Sequence, residues 1–215
     1  MTQKDEDNEL KTLLLILNES DLLDPKSISN LFSRFSVIEN EGIENLIVYV
    51  DFLKTIDEDT KRSLISFFKR QMQSSVAENL FSSERFKIIE NYENNRFCLK
   101  FCSESVSEDL SVLFVFGVGG RDELKRILSN FIDSCRSGEV SPSAMTSEYI
   151  SSRLKLPFEP DLIISHSKHT LTDFMIWQTV YSEYYFFEKD ISRITDSDFR
   201  KAFDNFYKRE RRYGA

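Results

Sequence analysis

Leu110–Glu123 reads LSVLFVFGVGGRDE. Its first seven residues form an apolar run of strand length, rich in Val and Phe, as a strand buried on both faces requires. Gly117, Gly119 and Gly120 follow, and a helical pattern runs from Asp122 to Cys135. Glycines permit a tight turn between strand and helix. The dinucleotide fingerprint G-x-G-x-x-G fails here, because its last position is Asp122. Such a turn can still present backbone N–H groups to an anion.

The same unit recurs outward from this segment. Thr12–Leu17 (TLLLIL), Leu46–Phe52 (LIVYVDF) and Asp161–Ser165 (DLIIS) are further apolar strand-length runs. Phe86–Ile89 and Phe97–Phe101 are shorter strands around the polar turn ENYENN. Helical patterns lie between them. One opens at Pro25 and Ser27, carries Ile28, Leu31, Phe32, Phe35 and Ile38 on one face, and ends at Gly42. A second starts at Asp57, a suitable N-cap, and carries Leu64, Phe67, Phe68 and Met72. Others are expected near Ala144–Leu154 and from about Thr172 to Tyr181, the latter followed by the apolar YYFF. Asp196 or Ser197 caps the last helix, whose face holds Phe199, Ala202, Phe203, Phe206 and Tyr207. Strands alternating with helices predict an α/β fold: a single domain with a mostly parallel central sheet flanked by helices. Residues 1–10 read as a polar tail and 11–215 as the domain.

Composition narrows the function. The chain has 215 residues, enough for a full core, and a net charge of −8, which argues against nucleic acid as a partner. A local basic cluster can still hold one diphosphate. Nineteen phenylalanines make the core, or a groove, aromatic-rich. Cys98, Cys102 and Cys135 lack C-x-x-C spacing and read as free thiols of a reducing, cytoplasmic compartment. No apolar run reaches the roughly 20 residues of a membrane span, so any membrane contact is expected to be peripheral.

Individual residues leave alternatives open. His166 and His169 are the two histidines; with no cysteine nearby they fall short of a zinc ligand set, and a solvated polar loop is the preferred reading. The run Lys208-Arg209-Glu210-Arg211-Arg212 before Gly214 suits a helix C-terminus. It equally suits a diphosphate clamp, where Arg serves better than Lys. Trp177 reads as core. Glu183, between Ser182 and Tyr184, is either an exposed helix position or a carboxylate that needs a cation or a metal.

Taken together, several motifs resemble the cis-prenyltransferases, the undecaprenyl diphosphate synthase family. They are Gly42-Ile43, Gly119-Gly120-Arg121-Asp122-Glu123, Pro160-Asp161-Leu162 with Ile164, Leu171 with Phe174, Trp177 and Gln178, then Tyr181, Glu183, Tyr185 and Phe186, and finally Arg209 to Gly214. The resemblance implies allylic and isopentenyl diphosphates as substrates, Mg2+ as cofactor and a polyprenyl diphosphate as product. The departures fall on the residues the resemblance makes chemical. Asn18 stands where the family's magnesium-supporting Asp would be, and the glycine and arginine of that loop are missing from Leu17–Asp21. Asp51–Thr55 replaces a further family motif, and Ser165 and Thr170 stand where arginines would hold isopentenyl diphosphate. Each lost donor to a leaving diphosphate costs about 2.7–4 kcal/mol of barrier.

The ending Arg212-Tyr213-Gly214 resembles the R-x-G of the Nogo-B receptor type accessory subunit of heteromeric cis-prenyltransferases. That resemblance implies a non-catalytic subunit whose partner is a catalytic cis-prenyltransferase chain. Arg212 and Gly214 would act in trans in the partner's site, and Arg121 would contact substrate. Glu183 would be a metal carboxylate across the interface, with Mg2+ held in the complex rather than by this chain alone. Phe174–Phe187 would supply aromatic interface. Two alternatives are a homodimeric cis-prenyltransferase with an altered active site and a prenyl-lipid-binding regulatory protein without chemistry.

Overall fold

The computed structural model describes residues 9–53, 55–77, 86–89, 96–101, 110–117, 119–156, 158–166 and 174–209. The apolar runs become the strands of one sheet: β1 (Thr12–Asn18), β2 (Asn45–Asp51), β3 (Phe86–Ile89), β4 (Arg96–Phe101), β5 (Leu110–Phe116), β6 (Leu162–Ser165) and β7 (Glu183–Phe186). Their order is β3-β4-β5-β2-β1-β6-β7. The five strands from β5 to β7 are parallel, while β4 is antiparallel to β3 and β5. This is the single α/β domain with a mostly parallel sheet that the alternating pattern predicts.

Alternation along the strands sorts side chains onto two faces. One face presents Leu13, Leu15, Leu17, Val48, Val50, Phe114 and Phe116. Against it lie α1 (Glu19–Leu23), α2 (Pro25–Ser33), α3 (Phe35–Asn40), α4 (Glu58–Ala77) and α7 (Asp196–Lys208), which bring Ile28, Phe32, Phe35, Ile38, Phe68, Phe199, Phe203 and Phe206 into the same core. Each fully buried ring contributes about 1.5–3 kcal/mol. The other face presents Leu14, Ile16, Ile47, Tyr49, Val115 and Ile163, covered by Leu156, Phe174 and Met175. Tyr49 and Phe174 stack there with centroids 3.6 Å apart. The remaining helices are α5 (Gly120–Arg136) and the short α6 (Ser147–Ser151).

Several expectations change. The helix predicted from Pro25 to Gly42 is two helices, α2 and α3, broken at Arg34, whose guanidinium pairs with Asp196. The Ala144–Leu154 helix shrinks to a 3-10 turn, Pro142–Ala144, and α6. The Thr172–Tyr181 helix is replaced, over its described part from Phe174, by consecutive turns. Met175 sits there at φ 51 with 1% exposure, so burial beside Phe174 overrides helix propensity. Leu10, assigned to the polar tail, is a buried core residue at 3% exposure. Gly117 behaves as expected of the turn after β5. Its φ is +58, and a Cβ there would stand 2.9 Å from Phe52 Cδ2.

Helix α7 is capped by Thr195 rather than Asp196 or Ser197. Asp198 Oδ2 accepts from Thr195 N at 2.9 Å and Thr195 Oγ1 at 2.7 Å, and Lys189 Nζ donates to both Asp198 oxygens at 2.8 and 2.9 Å. The Lys189 bond, aided by those of Thr195, holds the Asp198 carboxyl down at about 2. The unfolded chain therefore takes up this proton at a higher pH than the native one. The stabilisation should be complete above about pH 4 and be lost as pH falls through about 2. Urea titrations across that window should show an acid loss of stability that is reduced in Asp198→Asn.

Candidate active site at the carboxyl edge of the sheet

In open parallel sheets, ligands bind at the carboxyl ends of the strands where the strand order reverses. Here the chain proceeds outward from β1 to β2 and β5, then returns to place β6 on the other side of β1. The reversal lies between β1 and β6. Its mouth is built by Asn18 at the end of β1, Asp21 in α1, Ser165 at the end of β6 and His166 just beyond.

That mouth is closed by the protein itself. His166 Nε2 and Asp21 Oδ2 lie 2.6 Å apart, with side chains only 8% and 9% exposed. The same Asp21 oxygen accepts from Asn18 N at 2.8 Å. His166 is thus no solvated loop residue: it is bonded to a residue 145 positions away. Ser165 is 1% exposed inside the sheet, level with Ile16 and Phe186, so its hydroxyl does not take an arginine's place at the rim. His169 and Thr170 lie outside the described residues.

Behind the mouth is a cavity of about 10 Å³ bounded by Leu17, Asp21, Ser27, Ile28, Leu31, Phe32, Phe68 and Ile191. Clefts that hold drug-sized ligands span about 300–1,000 Å³, and this space admits about one water. Aromatic rings fill the core around it. Phe32 meets Phe114 at 6.3 Å, and Phe68 meets Phe114 and Phe116 at 5.3 and 5.4 Å.

The remaining motif residues divide into frame and rim. Asp161 Oδ2 accepts from Lys11 N and Thr12 N at 3.0 and 2.9 Å, joining the starts of β1 and β6. Gln178 Nε2 donates to Leu156 O at 3.0 Å, Trp177 Nε1 to Ser151 Oγ at 3.0 Å, and Ser182 Oγ to Pro160 O at 2.5 Å. Glu123, buried in α5, accepts from Lys155 N at 2.7 Å. Arg121 is exposed in the first turn of α5, at the carboxyl end of β5 and so on the same edge as the crevice. Glu183 lies on no helix. It begins edge strand β7, level with Leu162, and Leu162 with Leu13, at the opposite, amino edge. Its Oε2 lies 2.6 Å from Arg209 Nη1. Arg212 and Gly214 lie outside the described residues.

A family model described as "Putative undecaprenyl diphosphate synthase" matches residues 61–214, more than two thirds of the chain. The chain belongs to this family. An isoprenyl transferase of Agrobacterium fabrum is 29% identical over 168 residues, 74% of this chain and 68% of that protein. An isoprenyl transferase of Thermotoga maritima is 35% identical over 108 residues, 49% of this chain and 46% of that one. One of Brucella abortus is 33% identical over 109 residues, 49% and 42%. Apart from the Agrobacterium protein, the chain thus spans less than half the length of these curated relatives. Two solved structures share the fold. Lavandulyl diphosphate synthase from Lavandula x intermedia, in complex with dimethylallyl diphosphate, superposes with a TM-score of 0.70 at 17% identity, covering 97% of this chain and 100% of that one. A probable undecaprenyl diphosphate synthase from Campylobacter jejuni does so at 0.65 and 20%, with the same coverage.

Among the described residues of this cis-prenyltransferase-family chain there is no ready set of ligands for Mg2+, which takes near-octahedral oxygen ligands, usually including one or two carboxylates. Asn18 offers a neutral amide, Asp21 is engaged by His166 and Asn18 N, Glu183 is paired with Arg209 on the far edge, and no group of three His, Cys, Asp or Glu among them could hold a metal.

Asp21→Ala and His166→Ala should each lower stability by about 1–3 kcal/mol, because each strands a buried polar partner. The double variant should cost less than the sum by about 1 kcal/mol or more, measured as a urea double-mutant cycle. Additive losses would show that the two side chains do not act together.

Proposed function

We propose that this chain is a non-catalytic subunit of a heteromeric cis-prenyltransferase, in which it completes the site of a motif-complete partner chain. The contact between His166 and Asp21 at the strand-order reversal carries this reading. An allylic diphosphate must lose its leaving group against preorganised cations and N–H donors. In this crevice it would meet the Asp21 carboxylate instead, with His166 already engaged and Asn18 where the family's Asp is expected. Among the described residues, the space behind this contact, about 10 Å³, takes about one water and not a prenyl chain, which weighs against a prenyl-lipid carrier at this point.

In the proposed complex, isopentenyl and allylic diphosphates bind with Mg2+ in the partner's site. Arg212 contacts a diphosphate there, and Gly214 allows close backbone approach. Arg121 is a further diphosphate contact. The segment around β7 supplies interface, where Val180 and Tyr181 are 67% and 58% exposed.

The second reading is a homodimeric cis-prenyltransferase with an altered site. The relatives support it more directly than the first, since each named above is called an isoprenyl transferase. Arg121 and the C-terminal arginines are retained under both.

Incorporation of labelled isopentenyl diphosphate separates the two. The chain alone should be inert and should raise the turnover of a co-purifying, motif-complete family member at least tenfold. Arg212→Ala should then lower the complex's kcat by about 10²–10³. Turnover by the purified chain alone with Mg2+ would establish the homodimeric enzyme instead.

A further inference from the structure

Arg209, the last described residue before Glu210–Ala215, is tied down. Its Nη1 donates to Glu183 Oε2 at 2.6 Å and to Tyr184 O at 3.0 Å. Its backbone N–H closes α7 on Phe206 O at 3.1 Å, and its φ of −82 and ψ of 138 take the chain out of the helix. Phe206 is 1% exposed. Burial, with Glu41 alongside, pushes the neighbouring Tyr207 hydroxyl up to about 12, so it remains a neutral donor to Glu41.

Glu183 is held in turn. Its N–H donates to Asp161 O at 2.9 Å, and the Asp161 carboxylate is bonded to the first residues of β1. A continuous line of hydrogen bonds therefore runs from the central strand through Asp161 and Glu183 to Arg209. A helix C-terminus attracts any cation, but that attraction alone does not select a carboxylate and a carbonyl on another strand.

The anchor also sets direction. Glu183 is level with the start of β1, on the edge away from Asn18 and His166. The seven residues of β1 span roughly 20 Å. Three residues of extended chain carry the Arg212 backbone at most about 11 Å beyond Arg209. Arg209, from which the last six residues start, therefore lies on the side away from this chain's own crevice.

We propose that Arg209 and Glu183 are positioning residues: their pair fixes the departure of the C-terminal tail, so that the Glu183 carboxylate serves the tail rather than a metal. This rests on the proposed action of the tail in a partner's site. An exposed ion pair is worth only about 0–1 kcal/mol, so global stability should barely move when it is removed. Misplacing a group by about 1 Å can cost 10²-fold in rate, so the effect belongs in catalysis by the complex.

Two measurements decide it. Hydrogen exchange on the chain alone should quicken in the last turn of α7 in Arg209→Ala and in Glu183→Gln, and largely recover in the charge-swapped Glu183→Arg/Arg209→Glu. In the reconstituted complex, both single variants should lower kcat about 10–100-fold without moving the Mg2+ concentration for half-maximal rate, and the swap should restore most of the loss. Unchanged exchange overturns the anchor, while stimulation of the partner by the wild-type chain would leave the subunit reading standing. Faster exchange with full activity in the complex makes the pair merely structural and overturns the positioning role. A severalfold shift in Mg2+ dependence for Glu183→Gln, with Arg209→Ala unaffected, makes Glu183 a metal ligand and overturns it too. If the wild-type chain stimulates no motif-complete partner, the subunit reading fails and the positioning role falls with it, whatever exchange shows.

Discussion

Strand β1 is paired in parallel on both edges, with β2 and with β6, and its residues from Thr12 to Leu17 are buried. A strand held on four sides cannot shift register without turning its Leu side chains out of both cores. Its carboxyl end is therefore a fixed point, and Asn18, α1 and Asp21 are built directly on it. Asp161 fixes the other end by bonding its carboxylate to the backbone of Lys11 and Thr12. Both the closed crevice and the anchored tail are consequences of where this one strand begins and ends.

Much of this frame was legible in the chain, because it rests on local signals. TLLLIL, LIVYVDF and LSVLFVF are continuous apolar runs, and a strand buried on both faces leaves that trace. The elements that were misread depend on contacts distant in sequence. The helix break falls at Arg34, whose guanidinium pairs with Asp196, 162 residues away. Phe174 and Met175 carry helix-compatible spacing but are drawn onto the second face of the sheet, where Phe174 stacks on Tyr49. His166 was missed for the same reason. Nothing local marks a histidine in a polar stretch as buried, and its partner lies 145 residues earlier. The one available signal was Asp21, an acidic residue just past the first strand.

Family motifs mix two kinds of residue that a motif cannot separate. Asp161, Trp177, Gln178 and Glu123 all make hydrogen bonds that hold segments of the domain to one another. Those bonds are needed for the fold whether or not any chemistry follows, so their presence is no sign of activity. Asp21 at the crevice likewise holds Asn18 and His166 in place, so residues at that edge serve the fold as well.

Charge gives the final step. The chain carries a net −8, and the crevice adds a carboxylate where a diphosphate would need cations. Arg209 lies at the other edge, paired with Glu183 at the start of β7, and the sequence continues from it with Arg211 and Arg212. A net negative charge repels a free diphosphate at long range. Under the proposed reading, a short arginine-rich segment overcomes that repulsion only where other cations share the anion's charge, in the site of a second chain that has kept them.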